Sequence, residues 1–171
     1  MKLESVMTVC DSLNSAGVRY LLVGGIAVIA HGYTRLTMDI DMVISLEETN
    51  IRAALAVFRR LGYRPRLPVN PDDFADIDIR NVWIHEKNMR VFSLIHTDDS
   101  FPMMDLFVEE PFDFNTEYDQ ADAFELSGNI QVPVVRLETL IRMKELAGRD
   151  KDRMDVENLR YLLEADESEE I

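Results

Sequence analysis

Residues 20–44 read YLLVGGIAVIAHGYTRLTMDIDMVI, and the way this stretch divides decides the fold. Val18 to Val23 is apolar enough for a buried strand, and Gly24-Gly25 ends it in a tight turn. Ile26 to His31 then forms a short apolar helix closed by Gly32. From Met38 to Ile44 the pattern switches to a period of two, with Asp39, Asp41 and Val43 on one face and Met38, Ile40, Met42 and Ile44 on the other. Asp39 and Asp41 therefore point the same way from one strand, just after a glycine turn.

Working outward, Leu3, Val6, Met7, Cys10 and Leu13 recur at helical spacing before Gly17. Ser45 and Glu48 have the spacing of a capping box for a helix that carries Ile51, Leu55 and Phe58 inward and stops at Gly62. Asn70-Pro71 caps a short helix or irregular segment through Arg80. Met89 to His96 and Met103 to Val108 are two strands joined by a polar turn, an antiparallel hairpin. Glu109 to Ser127 is acidic, aromatic and weakly periodic, and reads as a loop over a site. Ile130 to Val135 is a further strand. Leu137, Leu140, Ile141, Lys144 and Leu146 mark a helix ending at Gly148, and a last helix over 151–163 presents Met154, Val156, Leu159, Leu162 and Leu163. The expected architecture is α/β (α+β): a small mixed sheet flanked by helices, with a C-terminal helix pair. A single domain over 1–171 divides into a core (1–135), the C-terminal helices (136–165) and a charged tail (166–171) expected to fray.

Composition narrows the function classes. The longest apolar run, Tyr20 to Ala30, is too short and too glycine-rich to span a bilayer, and the N-terminus has no signal-peptide pattern. A cytoplasmic protein without membrane partners is expected. With 32 acidic and 18 basic residues the formal charge is −14, which opposes duplex DNA as a partner and suits a small, protein or cationic one. The lone Cys10 lies on an apolar helix face, and His31, His85 and His96 have no zinc-ligand spacing. Asp76-Ile77-Asp78 repeats the Asp-x-Asp letters without a glycine turn before it; on a helix its carboxylates diverge, so it reads as surface.

Two carboxylates on one face of a strand repel each other and resist desolvation, a conflict that a divalent cation removes. Hard oxygen ligands suit Mg²⁺ or Mn²⁺. A side-chain-free turn at a helix N-terminus lets backbone N–H groups approach a phosphate. Asp105, inside the apolar strand Met103-Met104-Asp105-Leu106-Phe107, is the favoured third carboxylate, with Asp98, Asp99 and Glu109 as competing positions. Arg35 has two readings, a phosphate contact or an ion pair with Asp39 or Asp41.

Gly24-Gly25, Asp39-Ile40-Asp41 and the later strand residue Asp105 together resemble the DNA polymerase beta-like nucleotidyltransferase superfamily in its small prokaryotic branch. The run Gly24 to Asp41 looks like that branch's pattern. Leu140 to Asp152 resembles the C-terminal helices of its abortive-infection toxins and drug-modifying enzymes. The resemblance implies Asp39, Asp41 and Asp105 as catalytic metal ligands and Gly24 and Gly25 as triphosphate contacts. Arg35, Lys144, Arg149 and Lys151 are then candidates for neutralising the triphosphate. It implies a nucleoside triphosphate such as ATP as co-substrate, with Mg²⁺ or Mn²⁺, and a hydroxyl on a small molecule, transfer RNA or protein as acceptor; a cationic small molecule is favoured because the acidic segment Glu109 to Asp122 would receive it. Many members carry Gly-Ser at the turn, where the hydroxyl contacts phosphate, and Gly25 departs from this. That departure leaves a second expectation, a non-catalytic antitoxin or regulatory module keeping the fold.

Overall fold

The computed structural model describes residues 2–127 and 129–169, with side chains as far as Glu164. Its strands are β1 (Tyr20–Val23), β2 (Asp39–Ile44), β3 (Tyr63–Pro65), β4 (Val91–His96), β5 (Met103–Phe107), β6 (Asp122–Leu126) and β7 (Ile130–Val134). The helices are α1 (Leu3–Ser15), α2 (Gly24–Ala30), α3 (Glu48–Arg60), α4 (Ile77–His85), α5 (Phe114–Asp119), α6 (Leu137–Ala147) and α7 (Asp150–Glu169), with a 3-10 turn at Pro71–Ala75. All seven strands form one sheet in the order β3-β4-β5-β2-β1-β7-β6. The expected mixed sheet with flanking helices and a C-terminal helix pair is the architecture found. No helix among the described residues is long and apolar enough to cross a membrane.

Strand register places the site. β1 runs antiparallel to β2 with Val23 opposite Asp41, and β2 runs parallel to β5 with Asp41 opposite Asp105. β4 pairs antiparallel with β5 and sets Ser93 opposite Asp105. Opposed residues share a face, so Val23, Asp41, Asp105 and Ser93 form one row across four strands. The other face is the core: Ile40, Met42, Met104 and Leu106 are fully buried, and Phe92 is stacked between Phe74 and Trp83 with ring centroids 5.0 and 5.5 Å away. Each such aromatic pair adds roughly 0.5–1.5 kcal/mol beyond its buried area. α2, backed by α6, packs on β1 and β2. Over β5 and β4 the carboxylate face stays open, with Val91, Ser93, Ile95, Met103 and Phe107 only half-buried.

Several local expectations change. Ser45 does not cap α3: the cap residue is Glu47, without a side-chain cap bond, and Asn50 binds the Ser45 and Arg19 carbonyls instead. β3 was not apparent in the sequence, since three residues give no period. The segment 109–127 is not a loop over the site. Asp113 caps α5 by accepting from the Thr116 N–H (2.8 Å), and β6 pairs with β7 along its length. Glu117 is buried beneath α6, accepting from the Arg136 N–H (3.0 Å) and the Thr139 hydroxyl (2.9 Å). Glu110 accepts from the Leu46 N–H, beyond the end of β2 opposite to Asp39, and Glu109 pairs with Arg90. α7 runs to Glu169, and residues 170 and 171 lie outside the described ones. Leu146 and Met154, counted in the helical spacing, are 87% and 61% exposed, while Lys144, Asp152 and Asp155 are buried.

Candidate active site

Asp39, Asp41 and Asp105 each offer a carboxylate oxygen within 4.8 Å of the others, and all three are half-buried. Alternation along β2 supplies the first two, and the parallel pairing with β5 supplies the third. Burial is the largest influence raising the Asp41 carboxyl, to about 6, followed by the charges of Asp39 and Asp105; the Gly25 backbone and Arg149 draw it back in part. Asp105 is raised chiefly by burial, then opposed by the Ser93 hydroxyl, which donates to its Oδ1 at 2.5 Å, and by the Arg66 charge. Three acidic groups crowded this closely have the chemistry that could hold a cation: all donors are hard oxygens, and the repulsion between them is what bound positive charge would relieve.

Both turn glycines have packing reasons of their own. Gly24 has φ +62°, and a Cβ there would lie 2.0 Å from Asp41 Oδ2. A Cβ on Gly25 would lie 2.5 Å from Thr37 Oγ1. That hydroxyl donates to Asp39 Oδ1 (3.1 Å) and to the Asp39 carbonyl (3.3 Å). The volume of a serine at position 25 is thus taken by Thr37, which orients a site carboxylate. We expect Gly25→Ala to cost about 1–3 kcal/mol by overpacking, and Thr37→Ala in the same chain, which removes the Oγ1 contact at 2.5 Å but keeps the Cβ contact at 2.8 Å, to restore part of it. Urea denaturation of the two single variants and the double variant checks this; additive losses would mean that the two positions do not compete for space.

The basic candidates separate. Lys144 is buried, with Nζ 2.6 Å from Asp155 Oδ2 and 3.4 Å from Asp152 Oδ1, so its charge is already matched inside the helix pair. Arg35 Nη1 lies 2.5 Å from Asp155 Oδ2, which ties the segment before β2 to α7; its partner is neither Asp39 nor Asp41. Arg149 contacts Asp152 at 2.6 Å, yet its side chain is 62% exposed and its charge reaches Asp41. Lys151 is exposed on the first turn of α7 and has no ion pair among the described residues. Asp76 caps α4 through the Asp78 and Ile79 N–H groups, away from the triad.

Thr37, Ser93, Arg66, Asp152 and Asp155 were not singled out from sequence. Thr37 carried a usable signal, two residues before Asp39 in Thr-x-Asp-x-Asp, whereas Ser93 and Arg66 reach the site only through strand register.

A mixed sheet bearing a carboxylate triad beside a glycine turn, with a helix pair behind it, defines a nucleotidyltransferase. The chain belongs to the aminoglycoside-2''-adenylyltransferase family, whose profile matches residues 5–159. No curated protein sequence matches it. Among solved structures, the lincomycin-bound lincosamide antibiotic adenylyltransferase LnuA is similar at 15% identity and TM-score 0.64, covering 95% of this chain and 98% of that one. ANT(2'')-Ia in complex with adenylyl-2''-tobramycin is similar at 15% identity and TM-score 0.58, with 99% and 98% covered. An antigenic nucleotidyltransferase-like protein from Paracoccidioides brasiliensis is similar at 19% identity and TM-score 0.53, with 95% and 76% covered. At these identities the likeness is one of fold.

Proposed function

We propose that this enzyme transfers a nucleoside monophosphate from a nucleoside triphosphate to a hydroxyl of a small molecule, using Asp39, Asp41 and Asp105 as ligands for Mg²⁺ or Mn²⁺. The observation carrying the reading is the convergence of those carboxylates within 4.8 Å on the open face of the sheet. The bound cation would supply Lewis-acid neutralisation of triphosphate charge. The acceptor oxygen attacks the α-phosphorus, the bond from that phosphorus to the bridging oxygen breaks, and pyrophosphate leaves with the electron pair. Asp105, held by Ser93 at the open side of the triad, takes the hydroxyl proton. Arg149, whose charge reaches Asp41, would meet phosphate charge, with Lys151 two residues further on as a second candidate, and Gly24 and Gly25 leave the turn bare beside the triad. ATP is the first nucleotide to test, and antibiotics the first acceptors, given what the family and the similar structures are described as modifying. The family and the similar structures support a drug-modifying role.

Mg²⁺ or Mn²⁺ with the matching triphosphate is expected to raise the thermal midpoint, since a ligand at a hundred times its dissociation constant adds about 2.7 kcal/mol. Thermal denaturation with metal alone, and with metal plus each of the four triphosphates, is the measurement. A midpoint unmoved in every combination at millimolar metal counts against the site.

A further inference from the structure

We infer that the acceptor rests on the open face formed by β5, β4 and β3, and that this face selects a hydroxyl-bearing molecule with an apolar body and no cluster of ammonium groups. The inference rests on the reaction proposed above and adds the acceptor's chemistry to it. The face is continuous with the triad by register: Asp39 pairs with Met103, Asp105 with Ser93, and Ile95 with Arg64, while the Arg66 N–H donates to the Ser93 carbonyl. Opposed side chains share a face, so β4 presents Val91, Ser93 and Ile95 beside the carboxylates, and Arg64 and Arg66 stand at its outer edge.

Two hollows flank the row joining Ser93 and Asp105. One, of about 250 Å³, is lined by Arg66, Leu67, Met89 and Val91. The other, of about 210 Å³, is lined by Met38, Ile95, Phe101 and Met103, with Asp99 at its rim. Each alone falls short of the roughly 300–1,000 Å³ typical of small-molecule sites, so an acceptor held here would lie across the row between them. The first wall is mainly apolar and the second mixed, with His96 and Asp99 in its lining; Met38 and Leu67 are 72% and 54% exposed, which suits contact with a ligand's hydrocarbon.

Outside the triad, charge on this face runs opposite to that of the whole chain, with Arg64 and Arg66 against Asp99. Apart from the triad, Asp99 is the one carboxylate lining either hollow among the described residues. Neither Arg64 nor Arg66 has a carboxylate partner there; the nearest polar contact of Arg66 is Met103 Sδ at 4.0 Å. Strands lie about 4.8 Å apart, so these guanidiniums sit on the order of one Debye length, about 8 Å, from a molecule held at the triad. An acceptor carrying several ammonium groups would meet them as like charges. The first two acidic groups after β5 are engaged elsewhere: Glu109 is paired with Arg90, and Glu110 contacts Leu46 at the far end of β2. The expectation that a cationic acceptor meets Glu109 to Asp122 gives way to this geometry.

The test is equilibrium binding, by isothermal titration, of lincomycin, an amide-linked sugar with one basic nitrogen, and of tobramycin, a sugar with several amino groups. Each is titrated into the full chain with and without Mg²⁺ and a nonhydrolysable ATP analogue. We expect lincomycin to bind at least about tenfold more tightly than tobramycin, and the double variant Arg64→Glu, Arg66→Glu to erase or invert that preference. Both arginines are exposed, so the variant should keep the wild-type thermal midpoint, measured alongside. Tobramycin binding as tightly as lincomycin, binding of neither, or a preference unchanged in the variant would overturn the inference. Failure of the nucleotide analogue to bind would instead strike the proposed reaction, and the titrations without nucleotide would still judge the acceptor face.

Discussion

Asp41→Asn is expected to abolish nucleotidyl transfer while making the metal-free protein more stable. The carboxyl of Asp41 is raised from 3.8 to about 6, first by burial and then by Asp39 and Asp105. In the folded state it therefore keeps a proton that the unfolded chain releases near pH 4. Stability falls as pH rises wherever the folded state binds more protons, so this group's contribution is fully present below about 3.8 and is lost as pH rises to about 6. Above that pH the ionised Asp41 costs at most about 3 kcal/mol. Asparagine carries no such charge. Urea denaturation of wild type and variant without metal should agree near pH 4 and diverge by up to about 3 kcal/mol at pH 7.5, with the variant the more stable. Transfer should fall at least about a hundredfold, on the scale of losing one electrostatic group from a phosphoryl-transfer site. Millimolar Mn²⁺ should narrow the stability gap by stabilising wild type alone. A variant less stable than wild type at pH 7.5 would mean that Asp41 is held by a structural partner, and the cation reading would lose its main support.

The stretch 20–44 was legible because everything that shapes it is local. A period of two, a glycine pair and an apolar helix leave few alternatives, and Asp39 and Asp41 fall on one face whatever the rest of the sheet does. Asp105 stood out as an acid in an apolar strand, but its closeness to Asp41 depends on β5 lying parallel to β2 across about sixty intervening residues, a pairing that no short pattern encodes. Ser93 and Arg66 were hidden for the same reason. The segment after β5 was misread because its order comes from distant partners: the Arg19 guanidinium lies 4.7 Å from the Tyr118 ring centroid, and Glu117 is fixed by Arg136. Composition is silent in another way. A net charge of −14 does not say which face carries the acid, and Arg66 stands near enough to the triad for its charge to reach Asp105.

The C-terminal helix pair shows where a sequence pattern and its meaning part, and it yields the second large effect. Leu137, Leu140, Ile141 and Lys144 share the spacing of one helical stripe, so the lysine was placed inward by the pattern itself. A resemblance to a triphosphate contact pulled the reading outward. In the structure Lys144 meets Asp155 and Asp152, which are 3% and 0% exposed. Removing one partner of a buried pair strands the other's charge, at about 3–5 kcal/mol. Arg35 and Arg149 still touch these carboxylates, so Lys144→Met should fall at the lower end, about 3 kcal/mol. Adding Asp155→Asn should recover part of that loss, because the double variant leaves less uncompensated charge than the single one. Arg149→Ala should cost less stability, about 1–2 kcal/mol because Lys144 still meets the buried Asp152, while the KM for the triphosphate rises, since the guanidinium is mostly exposed and its charge reaches Asp41. Chemical denaturation together with KM and kcat for the three variants separates the roles. If Lys144→Met keeps wild-type stability and instead raises the triphosphate KM, the lysine leaves its carboxylates to meet the nucleotide, and the helix pair is a moving part of the site rather than its fixed wall.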